Sequence, residues 1–207
     1  MTSNEVYKEK SKQTFDQEAN VYESSSNGKH AKKLYGSVIK SVKMFNCLKV
    51  LDVGCGTGTI LSELSKNDKI DLAGVDLSEN MINIAKKTLT DKVDLKIGDS
   101  EKLPWKGNTF DAVICTDSFH HYPEPEKVLR EMARVLVPKG HLVIGDPWAI
   151  APVRQLMNLL LKHSKAGDFR IYSESEINRL FMRCGFSVLS FSRVNHSSFI
   201  ATAEVNK

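Results

Sequence analysis

No apolar run in this sequence of 207 residues approaches the ~18 residues that a membrane span requires, so a transmembrane helix is excluded. Cysteine is scarce. Its four copies, Cys47, Cys55, Cys115 and Cys184, form no C-x-x-C pair and have no histidine at metal-ligand spacing. No metal site is expected, and the cysteines read as small hydrophobes in a reducing compartment. Residues 1–12 are polar and lack the apolar stretch of a secretory leader, which makes the cytoplasm the expected location. There is no internal repeat and no long low-complexity tract. Charge of one sign is not in large excess either: 29 Lys and Arg stand against 25 Asp and Glu. The basic residues are scattered rather than gathered on one face, so no nucleic-acid partner is expected.

What is present is 41% hydrophobic and 26% charged, enough for one sizeable core and a single domain over residues 1–207. Residues 1–46 read as an N-terminal helical cap, with Ser24-Ser25-Ser26-Asn27-Gly28 as a loop between two helical pieces. The second piece carries Leu34, Val38, Ile39 and Val42 on one face. From 47 to 146 short apolar runs alternate with amphipathic stretches. Strands are expected at 48–53, 70–75, 93–97, 110–116 and 141–145, with helices at 57–66, from Ser78, and at 125–136. This alternation gives an α/β fold whose parallel sheet is covered on both faces. Pro125 suits the first turn of its helix, where no N–H is needed. Residues 147–172 fit neither period; an amphipathic stretch at 153–162 and a loop at 164–168 read as a substrate-side insertion. Ser173 and Glu176 form a capping box, Ile177, Leu180, Phe181 and Cys184 a buried stripe, and Gly185 a left-handed stop. Strands at 186–192 and 198–205 complete the 173–207 segment as an antiparallel pair.

Val50-Leu51-Asp52-Val53-Gly54-Cys55-Gly56-Thr57-Gly58 joins a strand to a glycine-rich turn and then a helix start. The strand delivers the chain to the sheet's carboxyl edge, where ligands bind. The glycines permit tight turning and close approach, and the helix presents free N–H groups. The spacing is G-x-G-x-G with Thr at position 59, whereas a dinucleotide fingerprint is G-x-G-x-x-G. Asp52 precedes the first glycine; an anion there would repel a pyrophosphate and favour a cationic ligand. No G-K-[ST] follows, which excludes a phosphate-binding P-loop. The second strand ends in Gly74-Val75-Asp76-Leu77-Ser78, where Asp76 can accept both hydroxyls of a ribose. Ser78 is the better helix N-cap. The third strand ends in Gly98-Asp99-Ser100, a carboxylate and hydroxyl suited to an adenine amine.

Together these residues resemble the class I S-adenosylmethionine-dependent methyltransferases, with the small-molecule ubiquinone/menaquinone-biosynthesis group as the nearest likeness. The resemblance runs from about Phe15 to Val143. It implies a Rossmann-like, doubly wound seven-stranded sheet with the last strand antiparallel, S-adenosyl-L-methionine as cofactor, and a small-molecule methyl acceptor. It implies cofactor contacts at Tyr22, Asp52, Gly54, Cys55, Gly56, Asp76, Leu77, Met81, Asp99, Ser100 and Thr116. Phe15-Asp16-x-x-Ala19-x-x-Tyr22-Glu23 resembles the segment that closes over the methionine end. One departure is Pro138-Lys139-Gly140 where the family usually has Pro-Gly-Gly.

Methyl transfer from a sulfonium mainly requires holding a nucleophile in line, and a base only if that nucleophile must lose a proton. His120 and His121 follow the fourth strand and are the catalytic candidates, set against a local packing role. Tyr122-Pro123 does not make the [DNS]-P-P-[YF] motif of enzymes that methylate base amines or glutamine. His30 precedes the sheet and could line the pocket, but reads rather as a solvated side chain. Two other functions remain open: a cofactor-binding sensor or partner protein without turnover, and a nicotinamide-dependent oxidoreductase.

Overall fold

The structure, a computed structural model, describes residues 2–89, 91–161, 164 and 166–207. Lys162 and Lys165, which fall in the expected 153–162 and 164–168 segments, lie outside the described residues. Seven strands form one sheet: β1 (Lys49–Val53), β2 (Asp71–Asp76), β3 (Asp94–Ile97), β4 (Phe110–Thr116), β5 (Leu136–Pro147), β6 (Phe186–Asn195) and β7 (Ser198–Val205). Their order is β3-β2-β1-β4-β5-β7-β6. Neighbours from β3 to β5 pair in parallel, and β7 runs antiparallel to both β5 and β6. The expected sheet and its antiparallel final strand are therefore present.

Alternation along the strands builds two cores. On one face Leu51, Val53, Val113, Cys115, Leu142 and Ile144 pack under α5 (Pro125–Val135) and α7 (Glu174–Arg183). On the other, Val50, Ala112, Ile114 and Val143 pack under α2 (Ser26–Met44), α3 (Thr59–Leu64) and α4 (Glu79–Thr88). Local signals set several boundaries as expected. Ser78 caps α4 by accepting the Met81 N–H, the Ser173/Glu176 capping box is formed, and Gly185 takes φ 85° after α7.

Three local readings change. The 24–28 break is not a loop: Ser25 alone separates a 3-10 turn (Ala19–Ser24) from α2, and its Oγ accepts the Gly28 N–H at 3.1 Å. β5 begins at Leu136 rather than 141, because Leu136 pairs with Phe110, and the expected 138–140 turn is instead a register shift inside the strand, after which His141 faces Ala112. Within that shift Lys139 holds φ 63°, where the Cβ is strained. Lys139→Gly is expected to raise stability by about 0.5–1 kcal/mol, measured by urea unfolding; an unchanged midpoint would remove the strain argument. The amphipathic 153–162 stretch forms α6 (Ala151–Leu161), yet α6 has no buried residue. Among the described residues, no helix is long and apolar enough to cross a membrane.

Candidate active site

The chain reverses direction across the sheet between β1 and β4, and the cleft opens at their carboxyl ends, as expected for a doubly wound sheet. Gly54 and Gly56 after β1, Asp76 and Leu77 after β2, Asp99 and Ser100 after β3, and Thr116 after β4 line it, together with Tyr22 and Met81. The turn after β1 is held by its own backbone: the N–H groups of Gly54 and Cys55 donate to the Val75 carbonyl at 2.8 and 3.0 Å. Asp76 then ties two elements together. Its Oδ2 accepts the Gly56 N–H at 2.8 Å and its Oδ1 accepts the Ser78 N–H at 2.9 Å. Burial raises the Asp76 carboxyl above its ordinary value, against these two donors.

The N-terminal segment closes the mouth. Asp16, at the end of α1 (Ser3–Glu18), accepts from the Ser78 hydroxyl at 2.5 Å and the Asn80 N–H at 3.2 Å, at the start of α4. Glu23 accepts the Thr57 and Thr59 hydroxyls, each at 2.7 Å, beside the glycine turn. Next to these ties Phe15 and Tyr22 face the cleft, and Ala19 and Tyr22 pack on Met81. Lys8 reaches across to Asp99 (2.8 Å) and Glu101 (2.5 Å). With α1 in this place the cleft's volume is only about 80 Å³.

A methyltransferase domain matches residues 51–144. A demethylmenaquinone methyltransferase of Renibacterium salmoninarum is 32% identical over 157 residues, covering 75% of this chain and 57% of that protein. The methyltransferase GfsG of Streptomyces halstedii is 37% identical over 103 residues, covering 47% of this chain and 37% of that protein. The chain thus spans well under two thirds of either curated relative. A solved S-adenosylmethionine-dependent methyltransferase from Aquifex aeolicus aligns with TM-score 0.65 and 28% identity, over 80% of this chain and 88% of that one. Residues 51–144 thus carry a methyltransferase domain, and the chain is similar to S-adenosylmethionine-dependent methyltransferases. S-adenosylmethionine is the cofactor of this family.

Two residues expected at the cofactor lie off the main cleft. Asp52 follows Val50 in the strand's alternation, so it points to the face under α2 and lines a small adjoining cavity with Tyr22, Tyr35 and Thr116. Burial and nearby Asp76 push its carboxyl up to about 8, so it is mostly neutral at pH 7 in this arrangement. Its Oδ1 has no hydrogen-bond partner, nor does the buried Thr116 hydroxyl. Cys55 is buried beneath the turn, its Sγ 3.0 Å from where a Cβ on Gly74 would sit. Cys55 still belongs to the turn that shapes the cleft, and Asp52 to the strand that leads into it.

The two histidine rings lie side by side, their centroids 4.1 Å apart, yet border different pockets. His121 lines the cleft, whereas His120 lines a second pocket of about 620 Å³. Asp117 lines both and joins them; its φ of 53° is a left-handed conformation. His120 Nδ1 lies 2.9 Å from Asp146 Oδ1 and its Nε2 lies 3.4 Å from Asp168 Oδ1. Burial opposes its charge, but Asp146 and Asp168 together hold it well above the ordinary histidine value. Burial and neighbouring His120 depress His121 to about 3. His30 is not solvated: its Nδ1 pairs with Asp117 Oδ1 at 2.8 Å, and it lines the second pocket. Asp117, Asp146, Asp168 and His30 lie in no local motif. Only the position of Asp117, one residue after Thr116, could have drawn notice.

Proposed function

We propose that the protein transfers a methyl group from S-adenosylmethionine to a small molecule held in the second pocket. The meeting of two unlike pockets at Asp117 carries this reading. One is a glycine-lined cleft with carboxylates at successive strand ends. The other has apolar walls from Trp148, Ile150, Val153, Met157 and Ile171, and a polar end at His30, Asp117, His120 and Asp168. Such a pocket suits an acceptor with an apolar body and one polar end.

The cleft residues fit the cofactor. S-adenosylmethionine supplies an activated methyl group on a cationic sulfur. Gly54 and Gly56 allow close backbone approach, and a Cβ on Gly54 would fall 2.2 Å from the Ser118 hydroxyl. Asp76 would take the ribose hydroxyls, and Asp99 and Ser100 the adenine side. The unpartnered Asp52 and Thr116 oxygens supply acceptors beside the turn, and a cation near Asp52 favours its charged form. Ligand sites typically enclose roughly 300–1,000 Å³, so α1 must shift for entry. It can, because α1 has no buried residue; its ties include the polar contacts of Lys8 and Asp16 and the edge-on contacts of Tyr7 with Phe169 and Phe15 with His121. Orientation is the protein's main contribution to rate.

Calorimetry with S-adenosylhomocysteine, followed by isotopic methyl transfer into a metabolite extract, tests the proposal. Tight binding with labelled product is expected. Binding without any labelled product would favour a sensor, and stabilisation by NAD alone would favour an oxidoreductase. His120→Ala and His121→Ala are expected to change S-adenosylhomocysteine affinity by no more than about threefold, because each removes less than one net hydrogen bond's worth of binding. Abolished binding in either variant would move that residue into the cofactor site.

A further inference from the structure

The structure assigns a divalent transition-metal site to His120, His121 and Asp168, at the junction of the two pockets. The three ligand atoms lie within 4.8 Å of one another. Each is set by a neighbour. Asp146 is fully buried, and its Oδ1 lies 2.9 Å from His120 Nδ1. A carboxylate accepts, so Nδ1 donates to Asp146, while Nε2 faces Asp168 Oδ1 at 3.4 Å and is the nitrogen that would give up its proton to an ion. That separation is long for a charge-assisted N–H···O bond, which runs about 2.7–2.9 Å. It is close to the spacing of two ligand atoms on one ion with bonds of about 2.0–2.1 Å.

His121 supplies the second, independent observation. Its Nδ1 is buried, has no hydrogen-bond partner, and faces the same Asp168 oxygen at 3.6 Å. In a neutral imidazole whose proton sits on Nε2, Nδ1 presents a lone pair. With that proton on Nε2, a nitrogen lone pair and a carboxylate oxygen confront each other in a buried place, where they repel. A cation between them turns the repulsion into two bonds.

The surroundings are built for this. Asp168 Oδ2 accepts the Ser164 hydroxyl, which leaves Oδ1 for the histidines. The Phe169 and Arg170 N–H groups donate to the His120 carbonyl at 2.8 and 3.0 Å, fastening the Asp168 loop to the histidine turn. Asp146 is the outer carboxylate that metal-bound histidines usually have. Two imidazoles and one carboxylate suit Zn²⁺ or another divalent first-row ion, whereas Mg²⁺ and Ca²⁺ prefer all-oxygen sets. Remaining positions on the ion open toward the second pocket, which His120 and Asp168 line, and there they suit an oxygen-bearing acceptor. The three ligands stand apart from the methyl-transfer reading; only the acceptor's place on the ion rests on it.

The test titrates the full chain, stripped with a chelator and dialysed, with Zn²⁺ against a competing indicator, and with Co²⁺ followed by its visible absorption. One equivalent is expected to bind, with a Co²⁺ spectrum of mixed nitrogen and oxygen ligation. Asp168→Asn and His121→Ala are expected to weaken binding by about 100-fold or more, and Asp146→Asn by about 10–100-fold. His141→Gln, a histidine stacked on Phe45 away from the cluster, should change nothing. Failure of the unaltered chain to bind either ion would overturn the site and leave His120 as a charged bridge between Asp146 and Asp168. Equal affinity in Asp168→Asn would overturn it as well. S-adenosylhomocysteine calorimetry on the same samples separates loss of this site from loss of the cofactor cleft.

Discussion

Replacing Asp76 with alanine is expected to weaken S-adenosylhomocysteine binding by about tenfold or more. Two effects add. The variant removes the carboxylate proposed to take the ribose hydroxyls, and hydrogen bonds to a charged group are worth roughly 1.5–3 kcal/mol each. About 1.4 kcal/mol corresponds to a factor of ten, so even one such bond reaches that mark. The variant also releases the N–H groups of Gly56 and Ser78, which Asp76 holds at 2.8 and 2.9 Å. The glycine turn and the start of α4 then lose their common anchor. Asp76→Asn should fall between the variant and the parent, because one acceptor oxygen survives. Calorimetry checks affinity, and thermal melting of the ligand-free protein separates it from folding. Unchanged affinity in Asp76→Ala would sink the ribose assignment.

Gly54→Ala is expected to lower stability by about 2–4 kcal/mol and to abolish measurable cofactor binding. Gly54 has φ 76°, a conformation that L side chains rarely adopt. The added Cβ would stand 2.2 Å from Ser118 Oγ and 3.1 Å from Tyr122 Oη. These two hydroxyls hydrogen-bond each other at 2.7 Å and line the cleft, so relief of the clash breaks that bond and moves the cleft wall. Gly36 is the control. It lies within α2, and a Cβ there meets nothing within 4 Å. Gly36→Ala should therefore stabilise by about 0.5–1 kcal/mol through helix propensity. Urea unfolding of both variants gives the comparison. A Gly54→Ala protein as stable as the parent would show that the turn tolerates a side chain, contrary to its geometry.

The N-terminal motif shows how far sequence pattern carries. Phe15, Asp16, Ala19, Tyr22 and Glu23 stand out by family likeness, but their spacing alone assigns no roles. In the fold, the two acids bind helix starts, Asp16 at α4 and Glu23 beside α3, and the aromatics next to them, Phe15 and Tyr22, face the cleft. Asp52 shows the opposite. Its place before the glycines suggests an anion for a cationic ligand. The strand's alternation turns it to the α2 face, and burial there pushes its carboxyl up to about 8. A charge inferred from residue type is thus altered by the medium in which the fold places it.

The strand order of types, the capping of α4 and α7, the left-handed stop at Gly185 and the glycine turn after β1 were all determined by the sequence itself. Each depends on residues within a few positions, where periodicity, caps and backbone freedom act directly. Only the tertiary structure decided that His120 and His121 serve different pockets, and that His30 joins Asp117 across 87 positions. The same holds for the gathering of Asp146 and Asp168 around His120, since their partners come from β5 and from the loop after α6. Contacts closed over such distances leave no local period, because they are set by how the sheet edge and the covering segments pack.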